Sequence, residues 1–193
     1  MRLFYTTDMK KIILICCLWL ISTLTIYSYP KPSVHHLSNG SIAVIIQDPS
    51  STISSSYVFV RTGSIFEGKW LGSGGSHYLE HLLAGGTTKL RSESDYKTII
   101  DQLGGAYNAY TTYDHTAYFI HSSSEDVFTA LQTLYEWMFH ANWSNQEFER
   151  EHGVVIKEME RANSNMNRQV YQKTQSLFYK DSPYRYPVIG YRP

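Results

Sequence analysis

Two segments of the chain alternate apolar and polar residues with a period of two, which is the pattern of half-buried β-strands. Residues 34–48 contain the pair Asn39-Gly40 and therefore predict two short strands joined by a hairpin turn. Residues 54–67 predict a third strand. Residues 107–122 are rich in tyrosine and threonine, which favour sheets, and they predict one or two more strands.

The other segments carry helical signals. A helix capped by Ser92 is predicted to end before Gly104-Gly105. Residues 125–140 repeat apolar positions at helical spacing and predict an amphipathic helix. Ser144 opens a capping box at the start of a further helix, predicted over residues 145–160 with an extension towards 178. Strands followed by mixed strands and helices predict one α+β domain.

The N-terminal segment has a composition that differs from that of the predicted domain. Basic residues precede an apolar run, residues 12–27, that is short for a bilayer span and suits the core of a signal peptide. We therefore expect residues 1–28 to be a signal peptide or a membrane anchor, with residues 29–193 exported to the periplasm, secreted or membrane-anchored. Both cysteines, Cys16 and Cys17, lie in this run, so a metal bound by the domain must be held by histidine and carboxylate.

Charge narrows the choice of partners only slightly. The chain has 17 basic and 17 acidic residues, which gives a formal net charge of zero. A protein without a basic field has no general attraction for nucleic acid. We therefore expect no nucleic-acid partner.

The short segment His77-Tyr78-Leu79-Glu80-His81 concentrates three ionisable side chains between two glycine clusters. On a helix, residues three and four positions apart share one face, so the two histidines and the glutamate lie together. Two neutral imidazoles at this spacing can bind one zinc ion, and the carboxylate can then take a proton from a water molecule that the metal activates. Solvated side chains on a surface helix are the alternative, but the neighbouring leucines predict that this helix is buried.

A catalytic zinc needs a third protein ligand and an open position. The helix after Ser144 offers Glu151 and Glu158, which are seven residues apart and therefore lie on one face. Seven residues rise about 10 Å along a helix, so only one of them can be a ligand while the other supports the site. The spacing does not choose between them, and four histidines remain as competitors: His115, His121, His140 and His152.

Three segments together resemble the pitrilysin or insulinase family of zinc peptidases, which includes the mitochondrial processing peptidases. They are the motif at 77–81 followed by Gly86-Thr87, the segment LGGAYNAYTTYDHTAY at 103–118, and REHGVVIKEME at 150–160. The first is the inverted zinc signature of the inverzincins. The resemblance runs from about residue 34 to the end of the chain and implies a mixed, largely antiparallel sheet packed against helices.

The resemblance also implies roles for individual residues. It implies that one zinc ion per chain is bound by His77, His81 and Glu158, and that Glu80 is the catalytic base. Glu151 matches a supporting acidic residue of the family. Asn108-Ala109 matches an edge-strand motif, and small or short side chains there let a peptide substrate add to the strand through its backbone. Ala84 departs from the family, which usually has a large aromatic residue at that position.

The function that the resemblance implies is that of an exported zinc metalloendopeptidase acting on peptides or unfolded segments. A non-catalytic family member, serving as a scaffold or a peptide-binding subunit, is the alternative. Such members usually lose part of the metal set, whereas all four residues are present here. The segment at 184–193 resembles a loop inside the family's first domain, so we expect a domain that is incomplete at its C-terminal end and needs a related second half-domain or subunit for full activity.

Overall fold

A computed structural model describes residues 30–191 of the chain. The described residues fall into two compact units, one ending at Ser50 and the other beginning at Ser51. In the first unit, strands β1 (Ser33–His36) and β2 (Ile42–Ile45) pair in antiparallel register. Gly40, in their connection, has a φ of 84°, a left-handed conformation that favours glycine. The predicted hairpin around Asn39-Gly40 is therefore confirmed.

The second unit contains a three-stranded antiparallel sheet. Its strands are β3 (Ile53–Val60), β4 (Ala106–Thr111) and β5 (Thr116–Ser123), in the order β3-β5-β4. Strand β5 lies in the middle, so β4 forms one edge of the sheet that the described residues build. The tyrosine- and threonine-rich segment thus supplies two strands, where one or two strands were predicted.

Five helices complete the second unit: α1 (Gly75–Leu83), α2 (Glu93–Gln102), α3 (Val127–Phe139), α4 (Asn145–Ser164) and α5 (Met166–Phe178). The two predicted caps are present, because the Ser92 and Ser144 side chains accept hydrogen bonds from the backbone three residues later. Short 3-10 turns occupy Ser64–Phe66, Gly68–Trp70 and Pro183–Arg185. Helices packed with antiparallel sheet confirm the predicted α+β class.

The main core lies between the sheet and helices α2 and α3. Its members are fully or almost fully buried, and they include Tyr96, Tyr118, Ile120, Leu134 and Trp137. Burial of such side chains is the principal favourable contribution to folding. A second, smaller cluster lies against helix α4 and contains Val155, Met159 and Ile189.

Two boundaries differ from the sequence prediction. Strand β3 ends at Val60 and not at residue 67, because the chain turns there and the amides of Ser64 and Ile65 donate to the carbonyls of Thr112 and Tyr113. The long helix after Ser144 is interrupted at Asn165, which has an extended backbone and caps helix α5 with its side chain. Tertiary contacts and a second cap thus end elements that their local pattern would continue.

The burial of helix α1 is also only partly as expected. Leu82 is 4% exposed and Leu83 is half-buried, but Leu79 is 41% exposed. The helix therefore turns one side to the core and leaves another side open.

The predicted export segment, residues 12–27, lies outside the described residues. Within residues 30–191, the helices are all too short or too polar to cross a membrane.

Candidate metal centre

Helix α1 begins at a glycine and is anchored by a carboxylate. Gly74, which precedes the helix, has a φ of 77°, and the Glu67 carboxylate accepts a 2.8 Å hydrogen bond from the Ser76 amide. An acidic group at this end of a helix is favourable because the first amides have no partner within the helix. His77 and His81 follow on one face, with their ring centroids 4.8 Å apart.

Helix α4 supplies the acidic partner. The Glu158 Oε2 atom lies 3.7 Å from His77 Nε2 and 3.5 Å from His81 Nε2. Within the described residues these three side chains form the group that could hold a metal, with their donor atoms all within 4.8 Å of one another. The structure therefore brings together the three residues predicted as ligands, from two different helices.

The donor set fits a zinc ion in both geometry and charge. Ligand atoms at 2.0–2.1 Å from a tetrahedral zinc lie about 3.3 Å apart, close to the observed separations from Glu158 Oε2. Burial and the neighbouring His81 lower the pKa of His77 from 6.5 to about 4, against the opposing effect of Glu158. His77 is therefore neutral at pH 7, which is the protonation state that a metal requires.

Glu151, for which the resemblance implies a supporting role, lies beside His81. Its Oε2 atom is 3.5 Å from Nδ1 of His81, the ring nitrogen that does not face Glu158. Arg150 donates a 3.0 Å hydrogen bond from Nε to Glu151 and also pairs with Glu93 at 2.9 Å. A carboxylate behind a histidine fixes the orientation of its ring and its tautomer.

The motif glutamate, Glu80, does not belong to the group of three candidate ligands and has a different partner. It is 8% exposed and accepts a 2.5 Å hydrogen bond from the Thr111 hydroxyl at the end of strand β4. The pKa of Glu80 is raised, because the effect of burial outweighs the opposing effects of the hydrogen bond from Thr111 and of the nearby His81. A carboxylate with a raised pKa is suited to accept a proton and then to release it.

An open cleft of about 470 Å³ lies beside Glu80 and His81. Its walls include Glu80, His81, Glu151 and the edge-strand pair Asn108 and Ala109. Asn108 is exposed, and its side-chain oxygen accepts a 2.9 Å hydrogen bond from the Ala109 amide. The edge strand, the candidate base and one of the three candidate ligands, His81, thus line one cleft.

The four competing histidines have other contacts. His115 is paired with Asp114 at 2.8 Å, and His121 is hydrogen-bonded to Ser55 at 2.9 Å. The rings of His140 and His152 lie against Tyr135 and Tyr78. Among the described residues, none of these four joins the metal-binding group.

Sequence reasoning missed three contributors: Glu67, Thr111 and Arg150. A local signal existed only for Glu67, an acidic residue shortly before a predicted helix. Thr111 reaches Glu80 through the register of strand β4, and Arg150 reaches Glu93 through the packing of two helices. Such contacts depend on tertiary structure and leave no mark in the local sequence.

The fold is that of a known family of peptidases. The family described as Insulinase (Peptidase family M16) matches residues 42–192. The chain belongs to this family, as the resemblance implied.

Individual relatives agree with the assignment. The chain is 27% identical to the human mitochondrial-processing peptidase subunit beta, over 88% of this chain and 34% of that protein. It is 28% identical to an uncharacterized zinc protease of Rickettsia felis, over 82% of this chain and 38% of that protein. The crystal structure of a protease from Helicobacter pylori matches with a TM-score of 0.79 and 28% identity, over 85% of this chain and 39% of that one. The chain thus spans about a third of the length of the curated relatives it matches.

Proposed function

We propose that this chain is the zinc-binding catalytic domain of a metalloendopeptidase that hydrolyses peptide bonds in peptides or unfolded segments. The observation that carries the proposal is the convergence of His77, His81 and Glu158, with Glu80 beside them on the cleft. Membership of the insulinase family supports peptide hydrolysis. The relatives named as a processing peptidase and a zinc protease support it as well.

Each residue of the site has a defined task in this proposal. When bound, a zinc ion would supply Lewis acidity that polarises a peptide carbonyl and lowers the pKa of water. His77, His81 and Glu158 would hold the ion, and Glu151 would orient His81. Glu80 accepts a proton from the attacking water and passes it to the leaving amine, while Thr111 keeps its carboxylate turned towards the cleft.

The peptide substrate is proposed to bind along strand β4. This strand is an edge of the described sheet and runs beside the cleft, so an extended peptide can add to it as a further strand. The Ala109 amide bonds the Asn108 side chain, so an incoming carbonyl would have to displace that side chain. In the free protein, the Asn108 side chain thus occupies the amide to which the peptide backbone would bind.

A related second half-domain or subunit is the proposed protein partner. Within the described residues, several large apolar side chains are strongly exposed, including Phe128 and Phe178 at 81% and Met166 at 76%. Extensive exposed apolar surface is typical of faces that another domain or subunit covers. The human relative is itself named as a subunit, which supports this view.

The decisive experiment measures bound metal in the purified full chain. We expect about one zinc ion per chain in the wild type and its loss in the variant His77→Ala. The matched control is His121→Ala, which removes a histidine that bonds Ser55 and does not belong to the cluster. A wild-type protein that binds no zinc at all would contradict the proposal and favour the non-catalytic scaffold or peptide-binding subunit.

A further inference from the structure

The chain segment at residues 186–191 lies against the start of the helix that carries the two histidines. The Tyr191 amide donates a 2.9 Å hydrogen bond to the Gly72 carbonyl, and the Gly190 amide donates a 2.9 Å bond to Pro187 within the segment. Ile189, which directly precedes Gly190, is 6% exposed. We refer to residues 186–191 as the clamp loop.

The contact between the clamp loop and helix α1 is backbone against backbone. A Cβ atom added to Gly74 would collide with the Ile189 carbonyl, and one added to Gly190 would lie 2.6 Å from the Ser73 carbonyl. Both glycines also have a positive φ, of 77° and 84°. Only glycine permits such a close approach in this conformation, and it occurs three residues before His77.

The Ile189 side chain reaches the other helix of the metal centre. It packs with Val155 and Met159 on helix α4, in a small cluster that Tyr78 joins from helix α1. Met159 directly follows the candidate ligand Glu158. One residue therefore touches the start of helix α1 through its backbone and the ligand-bearing part of helix α4 through its side chain.

We infer that Ile189 is a positioning residue for the metal centre, an inference that rests on the proposed zinc-binding function. The two histidines and Glu158 come from different helices, so their separations depend on how α1 packs on α4. Metal sites need their ligands held to within about 0.5 Å of the productive geometry. Truncating Ile189 leaves a cavity between loop and helix, which lets Glu158 move relative to His77 and His81.

The test compares zinc affinity with stability. Apparent zinc dissociation constants of the full chain are measured by competition with a chromophoric chelator, for the wild type, Ile189→Ala and Ile189→Val. The matched control is Ile100→Ala, because Ile100 is 7% exposed and belongs to the main core on helix α2, which carries no candidate ligand. Urea unfolding of each metal-free protein records the loss of stability separately.

We expect Ile189→Ala to weaken zinc binding by about 10- to 100-fold, as losses of supporting residues around metals do, and Ile189→Val to recover most of it. Ile100→Ala should lower stability and leave zinc affinity unchanged. If Ile189→Ala does not fold, the zinc affinities of Ile189→Val and Ile100→Val are compared instead. A few-fold loss of zinc affinity is then expected for Ile189→Val and none for Ile100→Val. Equal affinity in the Ile189 and Ile100 variants would overturn the inference.

A second measurement uses the reciprocity of coupled equilibria. If the clamp loop favours zinc binding, zinc must favour docking of the clamp loop. Zinc should therefore slow hydrogen exchange of the Tyr191 amide in the wild type. Unchanged exchange in a zinc-loaded protein would contradict a coupling through Ile189, whereas a wild type that binds no zinc would refute the proposed function itself.

Discussion

The hydroxyl of Thr111 donates a 2.5 Å hydrogen bond to the carboxylate of Glu80 and so ties strand β4 to helix α1. Thr111 is the last residue of the proposed substrate-binding strand, and Glu80 is the proposed base. The proposed base is therefore fixed against the strand that is proposed to bind the peptide. Such fixed alignment of reactants is a large part of catalysis.

We predict that Glu80→Gln retains zinc but loses hydrolysis. The amide has nearly the shape of the carboxylate but cannot accept the proton, and both histidines stay in place. General-base catalysis contributes about 10²- to 10⁴-fold, so the rate should fall by at least that factor. We measure zinc content by atomic absorption and hydrolysis by cleavage of an unstructured peptide pool. The zinc-loaded wild type is the reference for both. Loss of zinc in Glu80→Gln would mean that Glu80 is itself a ligand.

The two glutamates of helix α4 should differ in their effect on the metal. Glu158→Gln replaces the carboxylate whose Oε2 atom lies 3.7 Å and 3.5 Å from the two histidine Nε2 atoms by a neutral amide, and it should abolish tight zinc binding. Glu151→Gln removes only the partner of His81 Nδ1 and should weaken binding by about 10- to 100-fold. Titration of both variants with zinc against a chelator distinguishes them. A reversed order of effects would assign the third ligand to Glu151.

The local part of this site was predictable from sequence, and the distant part was not. His77, Glu80 and His81 share a helix, so their spacing alone places them on one face. The period of seven likewise puts Glu151 and Glu158 on one face, but it could not choose between them. That choice came from the family resemblance, and the distances agree with it.

The fold shows the same division. The hairpin, the caps at Ser92 and Ser144 and the amphipathic helix over residues 125–140 follow from local patterns and were predicted. The end of strand β3 depends on contacts with the β4–β5 connection and was predicted wrongly, and the interruption at Asn165, which depends on a second cap, was not predicted. The extent of an element is set by tertiary contacts more than by its own sequence.

Strand β4 should lose peptide affinity when its amide at position 109 is removed. Ala109→Pro eliminates this N–H donor, which lies on the cleft and bonds Asn108 in the free protein. Peptide binding, followed by fluorescence anisotropy with zinc-loaded Glu80→Gln as the background, should weaken while zinc content stays constant. Ala109→Gly, which keeps the N–H group and a small side chain, is the matched control. Unchanged affinity in zinc-loaded Ala109→Pro would refute binding by strand addition.

The buried carboxylate Glu136 predicts a pH dependence of stability that does not involve the metal. Its side chain is 2% exposed and accepts hydrogen bonds from Arg91, Tyr96 and Gln132. Burial alone would raise the pKa of Glu136, but these three donors outweigh it and hold the pKa below 4.5. A group with a depressed folded pKa stabilises the protein above its unfolded pKa, and this stability is lost as the pH falls through the folded value.

We therefore expect Glu136→Gln to lower the free energy of unfolding of the metal-free protein by about 1–3 kcal/mol at pH 7. The difference from the wild type should shrink as the pH falls from about 4.5, the ordinary pKa of a glutamate in the unfolded chain, through the lower pKa of Glu136 in the folded protein. Urea unfolding at pH 7 and at acidic pH measures both quantities. The exposed Glu125→Gln serves as control and should change little at either pH. A constant difference across the pH range would show that Glu136 is stabilised by packing and not by its charge.

The last prediction concerns what the proposed site lacks by itself. Hydrolysis needs groups that stabilise charge on the tetrahedral intermediate and walls that hold the peptide in place. The cleft has one cationic side chain among its described residues, Arg150, and that side chain is already paired with Glu93 and Glu151. Loss of one such stabilising donor costs about 100- to 1,000-fold in rate. The chain also spans only about a third of the length of its curated relatives. We therefore propose that a second half supplies the wall that encloses the peptide.

We therefore expect the chain of 193 residues to bind zinc yet to cleave an unstructured peptide pool slowly, and to self-associate through its exposed apolar side chains. Addition of the separately produced second half of a related full-length peptidase should raise the rate, because it covers the cleft and the apolar surface together. The rate is measured with and without a chelator, over a range of protein concentrations, and the control adds the same second half to zinc-loaded Glu80→Gln. Because that variant lacks the proposed base, it separates restored catalysis from cleavage by the added half. Rapid, chelator-sensitive cleavage by the chain alone at low concentration would show that the described site already contains everything that catalysis needs.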